Sequence, residues 1–230
     1  MRCSVVMATR DKSVYLNNTL KSIRDQTVPF DYELIVVDDG STDNTVDICS
    51  VWGVDKYIRL ENDHYRNPSV ARNAGYRTAI GDIIIAQSDE VIHFTDNVIE
   101  EMCNQLHEDE FLIATVYNYA MSEKKRLAAY TGSSFKRPFF FLGSLWRKDL
   151  YVIGGNDEDF TLPGFDDNWF ADCLTIGLGL SHRFIDNVIG HHQDHPRPPL
   201  AEPTRVMKAL YNKKRYDGVF VSSGGPWTYE

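Results

Sequence analysis

The first hundred residues alternate between short apolar runs and segments with helical spacing, and this rhythm constrains the fold more than any other feature of the chain. Cys3–Ala8, Tyr32–Val37, Lys56–Leu60 and Ile83–Ala86 read as strands. Between them, Val14–Gln26 carries Val14, Leu16, Leu20 and Ile23 on one helical face. "STDNTVDICSVW" reads as a helix capped by Ser41 or Thr42 with Asp43 in its first turn, and "PSVARNAGYRTA" as a helix begun by Pro68. Asn97–Leu106 adds another helix. Such an order predicts an α/β fold, a mostly parallel central sheet with helices on both faces. Ile83–Ala86 has no polar residue, as expected of a strand covered on both sides. It ends on Gln87-Ser88-Asp89-Glu90. Polar loops commonly follow strands, but the carboxyl ends of parallel strands are also where open α/β sheets bind ligands.

After Phe111 the rhythm changes. "FLIATVYNYA" and "RPFFFLGSLWRKDL" read as strands, the second near the sheet edge. "GFDDNWFADCLTIGL" reads as a helix led by carboxylates, and "SHRFIDNVIGHH" as a last strand. From Pro196 the chain is proline-rich, then forms a short basic helix around Arg205–Arg215 and ends in "SSGGPWTYE", which reads as a flexible tail. The expected organisation is one domain over 1–199 and a C-terminal extension over 200–230. The basic helix reads as a solvated face, with peripheral contact to an anionic membrane surface as its alternative.

A net charge of −9 disfavours general nucleic-acid binding, which needs a basic surface. An anionic ligand would need local basic groups, for which Arg10, Arg66, Arg72 and Arg77 are candidates. Cys3, Cys49, Cys103 and Cys173 are far apart among apolar neighbours, which suits reduced core thiols and a cytoplasmic protein. The opening "MRCSVVMATR" is too short an apolar run for a signal peptide, and no run approaches the ~20 residues of a membrane span.

Three carboxylate clusters stand out. Asp38-Asp39 follow the second strand and Asp89-Glu90 the fourth, on one rim of a parallel sheet, while Asp166-Asp167 head a helix. Acids gathered on one rim repel unless a cation or hydrogen-bond donors compensate. A divalent metal held by carboxylate and phosphate oxygens would do so. Plainer readings stand beside these. Asp39-Gly40 suits a turn, and Asp166 or Asp167 suits a helix cap, Asp166 the better of the two. His191, His192 and His195 fit a surface loop as well as a metal site.

Taken in order, "VVDDGSTDNT", "ARNAG", an apolar strand ending in acids, and "GGNDEDF…GFDDNWF" resemble family 2 glycosyltransferases of the GT-A, Rossmann-like fold, over about Ser4 to His195. The resemblance implies inverting transfer of a hexosyl group from a UDP-sugar to a glycan or other hydroxyl acceptor, assisted by Mn2+ or Mg2+. It implies that Thr9, Arg10, Asp38, Arg72, Gln87 and Ser88 contact the donor, with Asp39 on the uracil ring. Gln87-Ser88-Asp89 falls on the family's Asp-x-Asp metal motif, so Asp89 becomes the metal ligand, with His192 or His195 as a further one. Gln87 replaces the first acid, which implies a weaker metal site, a site helped by His192, or none. Asp166-Asp167 match the pair whose second member is the catalytic base. A helix N-terminus favours the charged carboxylate, so Asp167 is expected to be ionised at neutral pH. Two rivals remain: a non-catalytic nucleotide- or sugar-binding module, which Gln87 would suit, and a nucleotidyltransferase, against which "MATRDKSVY" lacks a glycine-rich loop.

Overall fold

A computed structural model of the chain describes residues 3–196 and 200–229. Its elements are β1 (Cys3–Thr9), α1 (Ser13–Arg24), β2 (Tyr32–Asp38), α2 (Thr45–Val51), β3 (Lys56–Arg59), α3 (Ser69–Thr78), β4 (Ile83–Ser88), β5 (Val91–His93), α4 (Val98–Asn104), β6 (Glu110–Ala120), β7 (Lys125–Thr131), β8 (Leu142–Trp146), α5 (Arg147–Ile153), α6 (Asp166–Asp172), β9 (Ser181–Gln193) and α7 (Ala201–Asp217). A single π-helical turn, Cys173–Gly177, continues α6.

Among the described residues the strands form one sheet, ordered β3-β2-β1-β4-β8-β6-β9-β5, with β7 paired to the outer half of β6. β3, β2, β1 and β4 are mutually parallel, and β9 runs parallel to β6. The expected α/β architecture is therefore present, with corrections in its second half. β8 is not near the edge but lies antiparallel between β4 and β6, with Leu142 and Leu145 fully buried. β5 and the β6–β7 hairpin do not figure in the sequence reading. Val91–His93 is too short to show a period, and "KRLAAYT" is largely exposed and mixed in character.

The apolar runs are explained by two cores, one on each sheet face. Val5, Met7, Leu34, Val36, Ile83 and Ile85 pack under α1 and α4. Their strand neighbours Val6, Ile35, Val37, Ile84 and Ala86 pack against α3, α5 and α6. Alternate side chains point to opposite faces, so a strand covered on both sides is apolar at successive positions over most of its length. Gly75 lets α3 approach closely: a Cβ there would sit 2.5 Å from Val6 Cγ1 and 3.0 Å from Val37 Cγ2.

Helix α2 starts at Thr45 rather than at a Ser41 or Thr42 cap. Both earlier residues are committed elsewhere: the Ser41 N–H donates to Asp38 Oδ1 (2.7 Å), and the Thr42 N–H to Asp11 Oδ1 (2.6 Å). α7 buries Met207 in the second core. Its Lys214 bridges Asp157 and Asp159 (2.9 and 2.7 Å), and Arg215 reaches Asp172 (3.4 Å), so these two cations face the protein's own acids. The last stretch, expected as a tail, lies along α5. Trp227 N–H donates to Tyr151 O (2.8 Å), and Tyr229 stacks on Tyr151 at 4.5 Å. The expected boundary at Pro199 lies outside the described residues. No helix among the described residues is long and apolar enough to cross a membrane.

Candidate active site

β1, β2 and β4 end side by side, and their carboxyl ends open on a cleft of about 170 Å³. Of the residues singled out from the sequence, Thr9, Arg10, Asp39, Arg72, Gln87, Ser88 and Asp89 line it. Arg66, named for its charge, and Glu90, of the Asp89-Glu90 pair, line it too, joined by Lys12 and Tyr65. A larger cavity of about 540 Å³ lies between α3, α5 and the C-terminal stretch, lined by Arg77, Arg147 and Trp227, and has no side-chain carboxylate on its wall among the described residues.

Asp38 is not in the cleft. Its carboxylate is buried and accepts from Ser41 N–H, from the Tyr57 hydroxyl (2.5 Å) and from Arg59 (2.8 Å), which welds the β2 end to β3. Asp39, the next residue, faces the other way and enters the cleft. Arg66 grips it through Nε (3.0 Å) and Nη2 (2.5 Å), and Asn62 Nδ2 donates to it (2.8 Å). The chain turns at Gly40 with φ 83°, where a Cβ would collide with Asn62 O at 2.0 Å, so only glycine fits beside this loop. Arg10 donates to Asn62 O (3.2 Å) and so ties the same loop to the β1 end.

The β4 end carries the densest charge. Asp89 and Glu90 are both buried. Glu90 is met by His195 Nε2 (2.9 Å), by His192 Nε2 (3.3 Å) and by Lys12 Nζ, which also lies 3.8 Å from Asp89. Burial works against the Glu90 charge, but the two imidazoles and Lys12 outweigh it and hold its pKa well below the usual carboxylate range. Burial dominates at Asp89 and raises its pKa, with Lys12 opposing. Burial also disfavours the Lys12 ammonium, yet Asp89 and Glu90 together keep its pKa above the ordinary lysine value. Lys12 escaped the sequence reading; the available signal was its position three residues after Thr9, on the rim itself.

These residues fit a divalent cation. Glu90, His192 and His195 offer ligand atoms within 4.8 Å of one another, and Asp89 Oδ2 is buried without a hydrogen-bond partner among the described residues. Carboxylate oxygen with imidazole nitrogen suits Mn2+ among other ions. The sequence singled out Asp89 for this role, whereas Glu90 is the acid that meets both histidines. His191 points elsewhere, stacked between Phe94 and Tyr119 at 4.2 Å each and accepting from Arg126 (2.8 Å). Gln87 stands apart from the cluster too. Its amide donates to Val91 O (2.8 Å) and pairs with His93 Nε2 (2.8 Å), which pins β5. Burial pushes the pKa of His93 down to about 3, so the imidazole is neutral.

Arg72, on the cleft wall, places its Nη1 3.4 Å from Asp167 Oδ1 at the start of α6; Asp167 itself is not among the cleft-lining residues. This pair joins α3 to the acidic start of α6. Burial, reinforced by the neighbouring Asp166, raises the pKa of Asp167 to about 7, with Arg72 pulling the other way. An Asp167 fully ionised at neutral pH, expected from the helix N-terminus, becomes one about half ionised there, because burial and the neighbouring Asp166 disfavour the charge. Asp166 is not the cap either. Phe165 holds that position with φ 65°, and Asp166 Oδ1 accepts the Gly164 N–H (3.3 Å).

Residues 4–161 match the model of glycosyl transferase family 2. The chain belongs to this family. It is 33% identical over 167 residues to the glycosyltransferase GlyG of Streptococcus pneumoniae serotype 4, covering 70% of this chain and 54% of that protein. It thus spans about half the length of that relative, and 28% of an uncharacterized glycosyltransferase of Rickettsia felis. Its fold is similar to that of the mannosyltransferase PcManGT from Pyrobaculum calidifontis, solved with GDP-Man and Mn2+ (TM-score 0.67, 19% identity, 94% of this chain and 63% of that one). It is similar too to S. aureus TarS 1-349 in complex with UDP-GlcNAc (TM-score 0.65, 17% identity, 86% and 60%). The family 2 chain therefore has the GT-A fold.

Proposed function

We propose that this family 2 chain is a metal-assisted glycosyltransferase that moves a hexosyl group from a nucleotide diphosphate sugar, with UDP as the nucleotide, to an acceptor hydroxyl with inversion. The observation that carries this reading is the convergence on one sheet rim of the Asp39–Arg66 pair, the Lys12, Asp89, Glu90, His192 and His195 cluster, and the Arg72–Asp167 pair. Asp39 and Arg66 present an acceptor and a donor edge suited to a pyrimidine base. Arg10 and Lys12 supply positive charge for the diphosphate on a chain of net charge −9. Glu90, His192, His195 and Asp89 would hold the divalent cation, which supplies, when bound, stabilisation of the charge on the departing diphosphate.

Asp167 takes the proton from the acceptor hydroxyl as its oxygen attacks the anomeric carbon from the face opposite the leaving group. Arg72 holds Asp167 in place. One displacement inverts the anomeric centre and needs no covalent nucleophile. The acceptor is a glycan or another hydroxyl compound. Incubation with Mn2+ and a panel of nucleotide sugars tests this, read as released nucleotide diphosphate alongside calorimetric binding of UDP and GDP. We expect UDP to bind and one UDP-sugar to turn over. Absence of nucleotide binding at millimolar concentration overturns the reading, and binding without turnover of any donor converts it to the non-catalytic module.

A further inference from the structure

Lys12 occupies an unusual position. Its ammonium meets Glu90 Oε1, the same oxygen that His195 Nε2 approaches at 2.9 Å, and lies 3.8 Å from Asp89 Oδ1. The other Glu90 oxygen is taken by His192 at 3.3 Å. Both carboxylates are about 4% exposed, so their charges need an internal counter-ion. The neighbouring guanidinium groups are engaged: Arg66 holds Asp39 and Arg72 holds Asp167. Gln87, with its amide spent on Val91 and His93, adds no negative charge. A divalent cation held between Glu90 and His195 would use Oε1, the oxygen already carrying the lysine.

We infer that Lys12 is the resident counter-ion of the Asp89–Glu90 pair, and that a divalent cation binds only by displacing its ammonium from Glu90. The inference rests on the preceding reading that this cluster takes up such a cation. Two cations cannot share one carboxylate oxygen without strong repulsion. Lys12 can leave, because its side chain is 34% exposed and stands on a flexible four-carbon stem. It has a destination only when a donor diphosphate lies in the cleft, since the phosphate oxygens replace the carboxylate as its partner. Metal alone is held weakly, and metal and donor strengthen each other. Any coupling of this kind is reciprocal: each ligand improves the other by the same factor. The arrangement would keep the site free of stray divalent ions until donor arrives.

The test measures Mn2+ binding by the whole chain, from the electron paramagnetic resonance signal of free Mn2+. Wild type, Lys12→Met, Lys12→Gln and Lys12→Arg are compared, with folding checked by circular dichroism and thermal melts. Without nucleotide, Lys12→Met and Lys12→Gln are expected to bind Mn2+ at least about tenfold more tightly than wild type, while Lys12→Arg, which keeps the charge, stays within about threefold. Adding UDP should tighten Mn2+ binding by a larger factor in wild type than in Lys12→Met. The inference is overturned if the neutral variants bind Mn2+ no better than wild type, or if no protein binds Mn2+. A parallel UDP titration, with saturating Mn2+ and again in EDTA, separates the two readings. UDP binding with no effect of Lys12 on Mn2+ removes this inference and leaves the donor site standing. No UDP binding by any protein removes the donor reading itself.

Discussion

Replacing Asp167 by Asn removes the base without changing its shape. Asn cannot accept a proton, but it still offers an oxygen to Arg72, so the 3.4 Å contact has a substitute and the fold should hold. Loss of a general base typically costs 10²–10⁴-fold in rate, roughly 3 to 5 kcal/mol of barrier. Release of UDP from the productive donor, measured with saturating Mn2+, should fall by that factor while the calorimetric Kd for UDP stays within about threefold. A pH profile adds a sharper requirement. The pKa of Asp167 is raised to about 7, so its base form is lost as pH falls through that value. Wild-type kcat should rise with pH through about 7, and at pH 6 should be on the order of a tenth of its plateau. Arg72 pulls that pKa down. Arg72→Gln should therefore shift the rising limb to higher pH, a direction that a merely structural loss has no reason to produce. Asp167→Asn should lose the limb and leave a low, flat profile. The reasoning is refuted if Asp167→Asn transfers sugar within tenfold of wild type, or if its profile keeps the limb.

Asp39→Ala should weaken UDP binding by about 1 to 3 kcal/mol in calorimetry, the scale of a lost buried hydrogen bond, whereas Asp38→Asn should leave UDP affinity unchanged and lower the melting temperature, because its carboxylate serves Ser41, Tyr57 and Arg59. Equal UDP affinity in wild type and Asp39→Ala would remove Asp39 from the base site. Glu90→Gln should weaken Mn2+ binding more than Asp89→Asn does, since Glu90 alone of the two acids meets both histidines; relaxation titrations with the opposite ranking would return the metal to Asp89. Gly75→Ala should cost about 1 to 3 kcal/mol in urea unfolding, because its Cβ would press on Val6 at 2.5 Å, and a neutral result would show that α3 can lift off the sheet cheaply.

The half of the fold built from parallel strands was legible because the buried strands carry unbroken apolar runs, Val5–Ala8, Leu34–Val37 and Ile83–Ala86, a signal few loops imitate. β8 carries the same kind of signal, yet its place beside β4 was not readable: antiparallel insertion between β4 and β6 depends on partners distant in sequence. "FFFLGSLW" looks identical whether it lies at the edge or in the middle. Likewise, the C-terminal stretch is rich in Gly and Ser, and only the three-dimensional fold brings Trp227 against Tyr151.

At the site, sequence located the segments and misjudged individual side chains, for geometric reasons. A strand turns successive residues to opposite faces, so of two adjacent acids at a strand end only one can point into a given cleft. Asp38 continues the face of Val36, away from the cleft, and meets Tyr57 and Arg59. Asp39 follows Val37 toward α3 and meets Arg66. The dipeptide itself is silent about which is which; the strand's buried alternation settles it only once the cores are assigned to faces. At Asp89 and Glu90 strand alternation does not decide, since both lie in the turn after β4 and both line the cleft. There the answer depends on β9, which brings His192 opposite Val91 and sends His195 back to Glu90 from about a hundred residues downstream. Lys12 follows the same logic from the other side. One lysine in "TRDK" is unremarkable until the β1 loop is laid against the β4 end. There it becomes the counter-ion of two buried carboxylates. Charges that answer one another across parallel strands are therefore invisible in any single motif. They become predictable when the register of β1 on β4, Met7 beside Gln87 and Ala8 beside Ser88, is fixed first.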